Sequence, residues 1–353
     1  MSTLDTISKS VISQEITAVS RVKYFLSEIE KQKDLNAFVR VYPETALAQA
    51  EAIDLKAKRG EKLGKLAGVV VTLKDNISYL NHEISCGSHI LENYTAPFSA
   101  HVVELMLAED AIIIGHSNMD EFAMGSSNES SYFGKVLNPI DKSRVPGGSS
   151  GGSAASVAAN LCDAALGSDT GGSVRQPAAF TGVYGLKPTY GAVSRRGVVA
   201  FGSSLDQIGT FTKSAQDAAY LLSILSGNDD LDSTKILQND NYQSLLQQDI
   251  KGLRIGIAEN LLGEGLQPEI RNSVRNLQKQ LETKGAIIVP IEMPNVKYCI
   301  AVYYILATAE ASANLARFDG LRYGHASAEP KDLDDLYLNS RSEGFGVEVK
   351  RRI

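Results

Sequence analysis

Apolar residues recur at helical spacing from Ile12 to Ile29, and Glu44 to Lys58 is rich in Ala, Leu, Glu and Lys. Residues 1 to about 60 therefore read as a helical region, 1–60, with a short strand predicted at Ala37-Phe38-Val39-Arg40-Val41. From Gly68 the texture changes. Val69-Val70-Val71-Thr72-Leu73 and Ala111-Ile112-Ile113-Ile114-Gly115 are short runs rich in β-branched residues, the pattern of strands buried on both faces. A helix is predicted between them at Ala100 to Glu109. Further on, Leu253–Ile257 reads as a strand, Pro268 to Lys284 as an amphipathic helix and Ala286–Pro290 as another strand. Alternation of this kind predicts an α/β fold, a sheet with helices on its faces, over a second region 61–353.

Composition narrows the class without naming a chemistry. Of 353 residues 43% are hydrophobic and 22% charged, as in a soluble globular protein, and the net charge of −6 does not favour nucleic acid. No run of about 18 apolar residues marks a membrane span, and the N-terminus lacks the basic start and apolar core of a signal peptide. Cys86, Cys162 and Cys299 are odd in number and far apart, which argues against a disulfide framework and fits a reducing cytosol. His82, His89, His101, His116 and His325 show no ligand spacing, so no metal site is expected.

The middle of the chain carries the candidate chemistry. Thirteen of the 30 glycines fall between Gly147 and Gly209, but apolar runs such as Val157-Ala158-Ala159 are interleaved with them, so tight turns are expected rather than a linker. Pro146 to Ser153 forms a Gly/Ser turn before an Ala-rich helix predicted over Ala154 to Ala165. A phosphate loop would end in GK[ST], which is absent. A Ser-His-Asp elbow would need a downstream histidine, and only His325, in a polar stretch, follows. In Leu166 to Arg175, Thr170, Gly171 and Gly172 offer consecutive backbone N–H groups beside Ser173, a potential oxyanion cradle. Asp169 and Arg175 could pair to hold that loop. Lacking a histidine, a serine needs another base. Lys74 ends the run Val69 to Leu73; it is either a desolvated lysine of lowered pKa or a surface lysine.

Lys74, the Gly147–Ser153 loop and the Asp169–Arg175 loop together resemble the amidase signature family, over the chain from about residue 10 to its end. The spacings, 75 residues from Lys74 to Ser149 and 24 from Ser149 to Ser173, fit that pattern. The resemblance implies a central mixed β-sheet covered by helices on both faces. It assigns Lys74 as base, Ser149 as a bridging serine after a cis peptide bond, Ser173 as nucleophile, and Thr170, Gly171 and Gly172 to the oxyanion.

Asn118 to Glu129, Gly185 to Gly191, Ser204 to Gly209, Ala309 to Gly320 and Ser342 to Gly346 are similar to the A subunits of the bacterial Glu-tRNA(Gln)/Asp-tRNA(Asn) amidotransferases. Those subunits hydrolyse glutamine. Its ammonia passes to a B subunit, which uses ATP and Mg²⁺ on mischarged tRNA, and a C subunit clasps the two. The resemblance thus implies no cofactor in this chain, B and C subunits as partners in a cytoplasmic heterotrimer, tRNA reached only through B, and no membrane. It also places Met124, Gly125, Ser126, Tyr303 and Arg352 (or Arg351, one residue away) around glutamine. Read from residues alone, Met124 and Phe122 are core, and Lys350-Arg351-Arg352 is an ordinary basic run. Family members continue beyond Ile353, so a fragment is expected, its C-terminal part missing. Two other readings stay open: a free-standing amidase for small or aryl amides, and a non-catalytic protein on an amidase fold.

Overall fold

A computed structural model describes residues 3–236, 241–246 and 248–353. The chain forms two compact units, one of Met1–Tyr242 with Leu306–Ile353, the other of Gln243–Ile305. The units thus fall elsewhere than a division into 1–60 and 61–353. Residues 3–60 belong to the larger unit: side chains of their helices pack with Val70, Ile112 and Ile114, and Arg21 donates to both carboxylate oxygens of Asp163 at 2.6 Å.

In chain order the larger unit contains α1 (Leu4–Ile12), α2 (Ala18–Lys31), β1 (Phe38–Val41), α3 (Pro43–Lys58), β2 (Val70–Lys74), α4 (His101–Ala108), β3 (Ile112–Ser117), α5 (Gly151–Ala158), β4 (Ala164–Asp169), α6 (Arg175–Thr181), β5 (Tyr184–Leu186), β6 (Gln207–Thr212) and α7 (Ala215–Leu225). The one-turn α8 (Tyr242–Leu245) follows. The smaller unit holds β7 (Arg254–Ala258), α9 (Pro268–Thr283) and β8 (Ile287–Ile291). Helix α10 (Val296–Leu315) starts there and ends in the larger unit, which closes with α11 (Leu333–Gly344) and α12 (Val347–Arg352).

Six strands form one mixed sheet in the order β1-β3-β2-β4-β6-β5. β2 runs parallel to both its neighbours, β3 and β4, while β1, β6 and β5 pair antiparallel. Successive side chains of a strand point to opposite faces, and both faces here are apolar. Val71, Leu73, Ile113, Ala164 and Leu166 join one core with residues of α1, α4 and α7. Val70, Ile112 and Ile114 join another with α2 and α3. Ala165 and Phe211 pack under α5 and α6. Lys74 shares the parity of Val70 and so falls on the face that α5 covers.

Several boundaries differ from the sequence reading. The Ile12–Ile29 periodicity spans two helices, because Thr17 caps a new start and Asp54 accepts the N–H groups of Ala18 (2.7 Å) and Val19 (3.1 Å). The Ala-rich helix stops at Ala158: Asn160 turns left-handed (φ 57°), and Ala164 and Ala165 pair instead with Val71 and Thr72 as strand β4. β7 and β8 do not extend the large sheet. They form a parallel pair of their own, joined through α9.

Gly152 explains how close α5 comes to the sheet. A Cβ there would collide with the carbonyl oxygens of Asn118 and Ala37, and the Gly152 N–H donates to Asn118 O at 3.0 Å. Gly152→Ala would gain about 0.5–1 kcal/mol of helix propensity, but overpacking against backbone costs about 1–3 kcal/mol. The expected outcome is a lower thermal unfolding midpoint than the parent's; a higher one contradicts the packing described.

Candidate active site

Lys74 is the last residue of a strand flanked on both sides, and it is fully buried. Its Nζ lies 2.7 Å from Ser149 Oγ, 2.9 Å from Ser168 Oγ and 3.4 Å from the Ser168 carbonyl. Asn76, two residues on, donates from Nδ2 to Ser168 Oγ at 3.0 Å. All of these groups lie within the protein interior: Ser149 has no exposed surface, and Asn76 and Ser168 each keep 2%. Burial draws the Lys74 pKa down from 10.5 to about 7, although the charges of Asp120, Asp169 and Asp206 pull it upward. Among the described residues no carboxylate touches the amine; its hydrogen-bond partners there are two hydroxyls and a carbonyl. A neutral amine satisfies that set with two N–H donors and one lone pair. The alternative of a surface lysine is excluded by its zero exposure.

Ser149 follows a cis Gly148–Ser149 peptide bond. Its loop is held from both ends, with Gly148 N–H donating to Gln176 Oε1 (2.9 Å) and Asp120 N–H to the Ser149 carbonyl (3.1 Å). The Ser150 N–H donates to the Ser173 carbonyl at 3.3 Å, so the Ser173 backbone runs beside the residue that follows Ser149. Ser173 keeps 9% of its surface. Among the described residues no direct hydrogen bond joins the Ser149 and Ser173 hydroxyls.

The Thr170–Ser173 loop is shaped by carboxylates. Asp169 accepts from the N–H groups of Gly172 (2.8 Å) and Val174 (3.1 Å), and from Arg175 Nε (3.1 Å) and Nη2 (2.9 Å). Burial works against its charge, but these donors outweigh it and hold the carboxyl below its ordinary range. The expected Asp169–Arg175 pairing is therefore present. Thr170 Oγ1 donates to Asp206 Oδ1 at 2.6 Å, and Asp206 also takes the N–H groups of Phe201 (2.9 Å) and Gly202 (3.2 Å). One expectation needs correcting. The Gly172 N–H is taken by Asp169 and so is not available to an oxyanion.

The residues expected around glutamine differ in their surroundings. Met124 is buried, Gly125 half-buried and Ser126 exposed, its carbonyl accepting from Gln176 Nε2 at 2.9 Å. Phe122, like Met124, is core: its ring packs on Phe318 and Phe345. Arg352 turns inward, with 13% of its side chain exposed, and pairs with Glu348 at 2.8 Å, whereas Arg351 is 70% exposed. Of the two registers, Arg352 is the one that points into protein. Tyr303 lies on the part of α10 that belongs to the smaller unit, its ring against that of Tyr304. His325 pairs with Glu343 at 2.8 Å and packs against His89, away from either serine loop's hydrogen bonds. Sequence reasoning gave no role to Ser168 or Asn76. Ser168 belongs to the Leu166–Arg175 segment, but nothing in its spacing marks a hydroxyl aimed back at Lys74.

Comparison with known proteins agrees with this geometry. Residues 20–353 match the family model described as Amidase. The A subunit of the Glutamyl-tRNA(Gln) amidotransferase of Chlorobaculum parvum is 51% identical over 345 residues, 97% of this chain and 72% of that protein. Its counterpart in Fusobacterium nucleatum is 52% identical over 344 residues, 97% of this chain and 71% of that protein. Among solved structures, the A subunit of the Glutamyl-tRNA(Gln) amidotransferase of Thermotoga maritima aligns at a TM-score of 0.75 with 40% identity, covering 85% of this chain and 66% of that one. The peptide amidase of Stenotrophomonas maltophilia aligns at 0.84 with 28% identity, covering 99% and 74%. With a buried lysine set against a serine hydroxyl, and a match over almost its whole length, the chain belongs to the amidase family.

Proposed function

We propose that this chain is the glutamine-hydrolysing subunit of a tRNA-dependent amidotransferase. The observation that carries the chemistry is the fully buried Lys74 amine, its pKa drawn to about 7, at 2.7 Å from Ser149 Oγ. Relatives about half identical over nearly the whole chain, each the A subunit of such an amidotransferase, support the choice of substrate.

Ser173 Oγ attacks the side-chain amide carbon of glutamine. Its proton passes to Ser149 Oγ as the Ser149 proton passes to neutral Lys74. Catalytic hydrogen bonds commonly close only around bound substrate, and the Ser149–Ser173 link is of this kind. The oxyanion is met by backbone N–H groups of the Thr170–Ser173 loop, with Gly171 and Ser173 rather than Gly172 as donors. As the tetrahedral species collapses, the proton returns from Lys74 through Ser149 to the departing nitrogen, which leaves as ammonia. Water then attacks the Ser173 ester by the same relay and releases glutamate. Arg352 takes the α-carboxylate of glutamine, with Met124, Gly125 and Ser126 lining the same site. Ammonia goes to a B subunit, which uses ATP with Mg²⁺ on mischarged tRNA, and a C subunit joins the two in the cytoplasm. No role for ATP or metal falls on this chain.

Ammonia release from glutamine, assayed with the B and C subunits, is the test. Ser173→Ala is expected to lose about 10⁴-fold or more, and Lys74→Arg, which installs a permanently charged group, about 10²-fold or more. Unchanged release in Ser173→Ala would move the reading to a non-catalytic protein. Turnover of small amides without partners, and none of glutamine with them, would move it to a free-standing amidase.

The base must be uncharged to accept a proton, and its uncharged fraction grows as pH rises through about 7. The rate at low glutamine is therefore expected to climb about tenfold per pH unit below that point and level off above it. A rate that falls as pH rises through 7 contradicts the assignment.

A further inference from the structure

The turn that carries Met124 also holds the start of α12. Glu121 is 2% exposed, and its carboxylate accepts the Gly346 N–H with both oxygens, each at 3.0 Å, and the Ser88 hydroxyl. Gly346 is the residue before α12, and a Cβ on it would run into the Glu121 carboxylate. The next residue, Phe122, packs on Phe345 at 5.6 Å between ring centres, so the aromatic contact holds residue 345 and the carboxylate its neighbour 346. Phe122 (φ 48°) and Ala123 (φ 61°) are both left-handed without being glycine, an unfavourable arrangement that persists only where the surroundings enforce it. Six residues after Gly346 comes Arg352, turned inward and braced by Glu348.

We infer that Glu121 is a positioning residue for substrate binding: by clamping the Gly346 N–H it sets the depth and angle at which α12 presents Arg352 to the glutamine carboxylate. Met124–Ser126 follow on the same turn, but the Glu121 carboxylate itself reaches the pocket through Gly346, α12 and Arg352. The inference rests on the proposed role of Arg352. The hydrogen bonds of the Glu121 carboxylate go to Ser88 and Gly346 and not to Lys74 or Ser149, so its loss is expected to reach affinity and leave the chemical step.

The test is steady-state glutamine hydrolysis by the chain with its partner subunits, comparing Glu121→Gln, Arg352→Ala and the double variant. Glu121→Gln keeps an acceptor but not the charge that binds through both oxygens. It is expected to raise KM for glutamine about 10-fold with kcat within about 3-fold. The double variant should match Arg352→Ala alone, because a residue that acts through another adds nothing once that other is gone. Gly346→Ala, which pushes the clamp apart from the other side, should give the same KM signature if Glu121→Gln proves unstable. A fall in kcat with KM unchanged, or KM effects that multiply in the double variant, overturns the positioning role. If Arg352→Ala itself leaves KM unchanged, the carboxylate assignment of Arg352 fails, and the inference falls with it. If Arg352→Ala raises KM while Glu121→Gln and Gly346→Ala do not, the assignment of Arg352 stands and only the clamp is wrong.

Discussion

Everything at this site depends on an ammonium-forming group kept out of water without a carboxylate in contact with it. An ion pair would hold Lys74 charged and useless as a base at neutral pH. The protein instead meets its amine with Ser149 Oγ, Ser168 Oγ and the Ser168 carbonyl, all acceptable to the neutral form. Asp120, Asp169 and Asp206 surround it and act only over distance, because each carboxylate is occupied. Asp120 takes the N–H groups of Asn128 and Ser130, Asp169 takes its own loop and Arg175, and Asp206 takes Thr170 and the 201–202 backbone. Burial lowers the amine's pKa and these charges restrain the fall, so it settles near 7 rather than far below.

The same carboxylates build the loops that bring the serines to the lysine. Backbone N–H groups in a buried loop need acceptors, and a carboxylate can serve several at once. Asp169 thereby turns the chain sharply between β4 and α6, and Asp120 fastens the segment beside Gly148. Glycines complete the fit where the chain is crowded: at Gly148 a Cβ would strike the Asp120 carboxylate, and at Gly152 it would strike two backbone carbonyls. The site is thus a meeting of loops at one end of β2 and β4, with the sheet fixing where the lysine stands and the loops fixing what faces it.

Much of this was legible in the sequence because it rests on local patterns. β2 and β3 are apolar on both faces, so their runs showed as strands, and Lys74 stood out as a charge at the end of one. The serine loops showed through their glycines. What stayed hidden is long-range. Ser168 meets Lys74 across 94 residues and Glu121 meets Gly346 across 225, and no periodicity encodes such contacts. β4 was hidden by composition, since Ala164 and Ala165 continue an alanine run that looks helical and become strand only through pairing with β2. The commitment of the Gly172 N–H to Asp169 was invisible for the same reason: the loop's sequence offers the donor, and only its folding shows who takes it.

The central claim is that the interior holds Lys74 as a free amine near neutrality. Its direct measurement is a titration of the Lys74 side chain by NMR with ¹³C label at lysine Cε, the resonance assigned by its loss in Lys74→Arg. The account predicts a midpoint near 7, far below the 10.5 of an ordinary lysine. A Lys74 signal that stays in its charged position up to pH 9 or beyond (roughly the range of a solvated lysine) would contradict it.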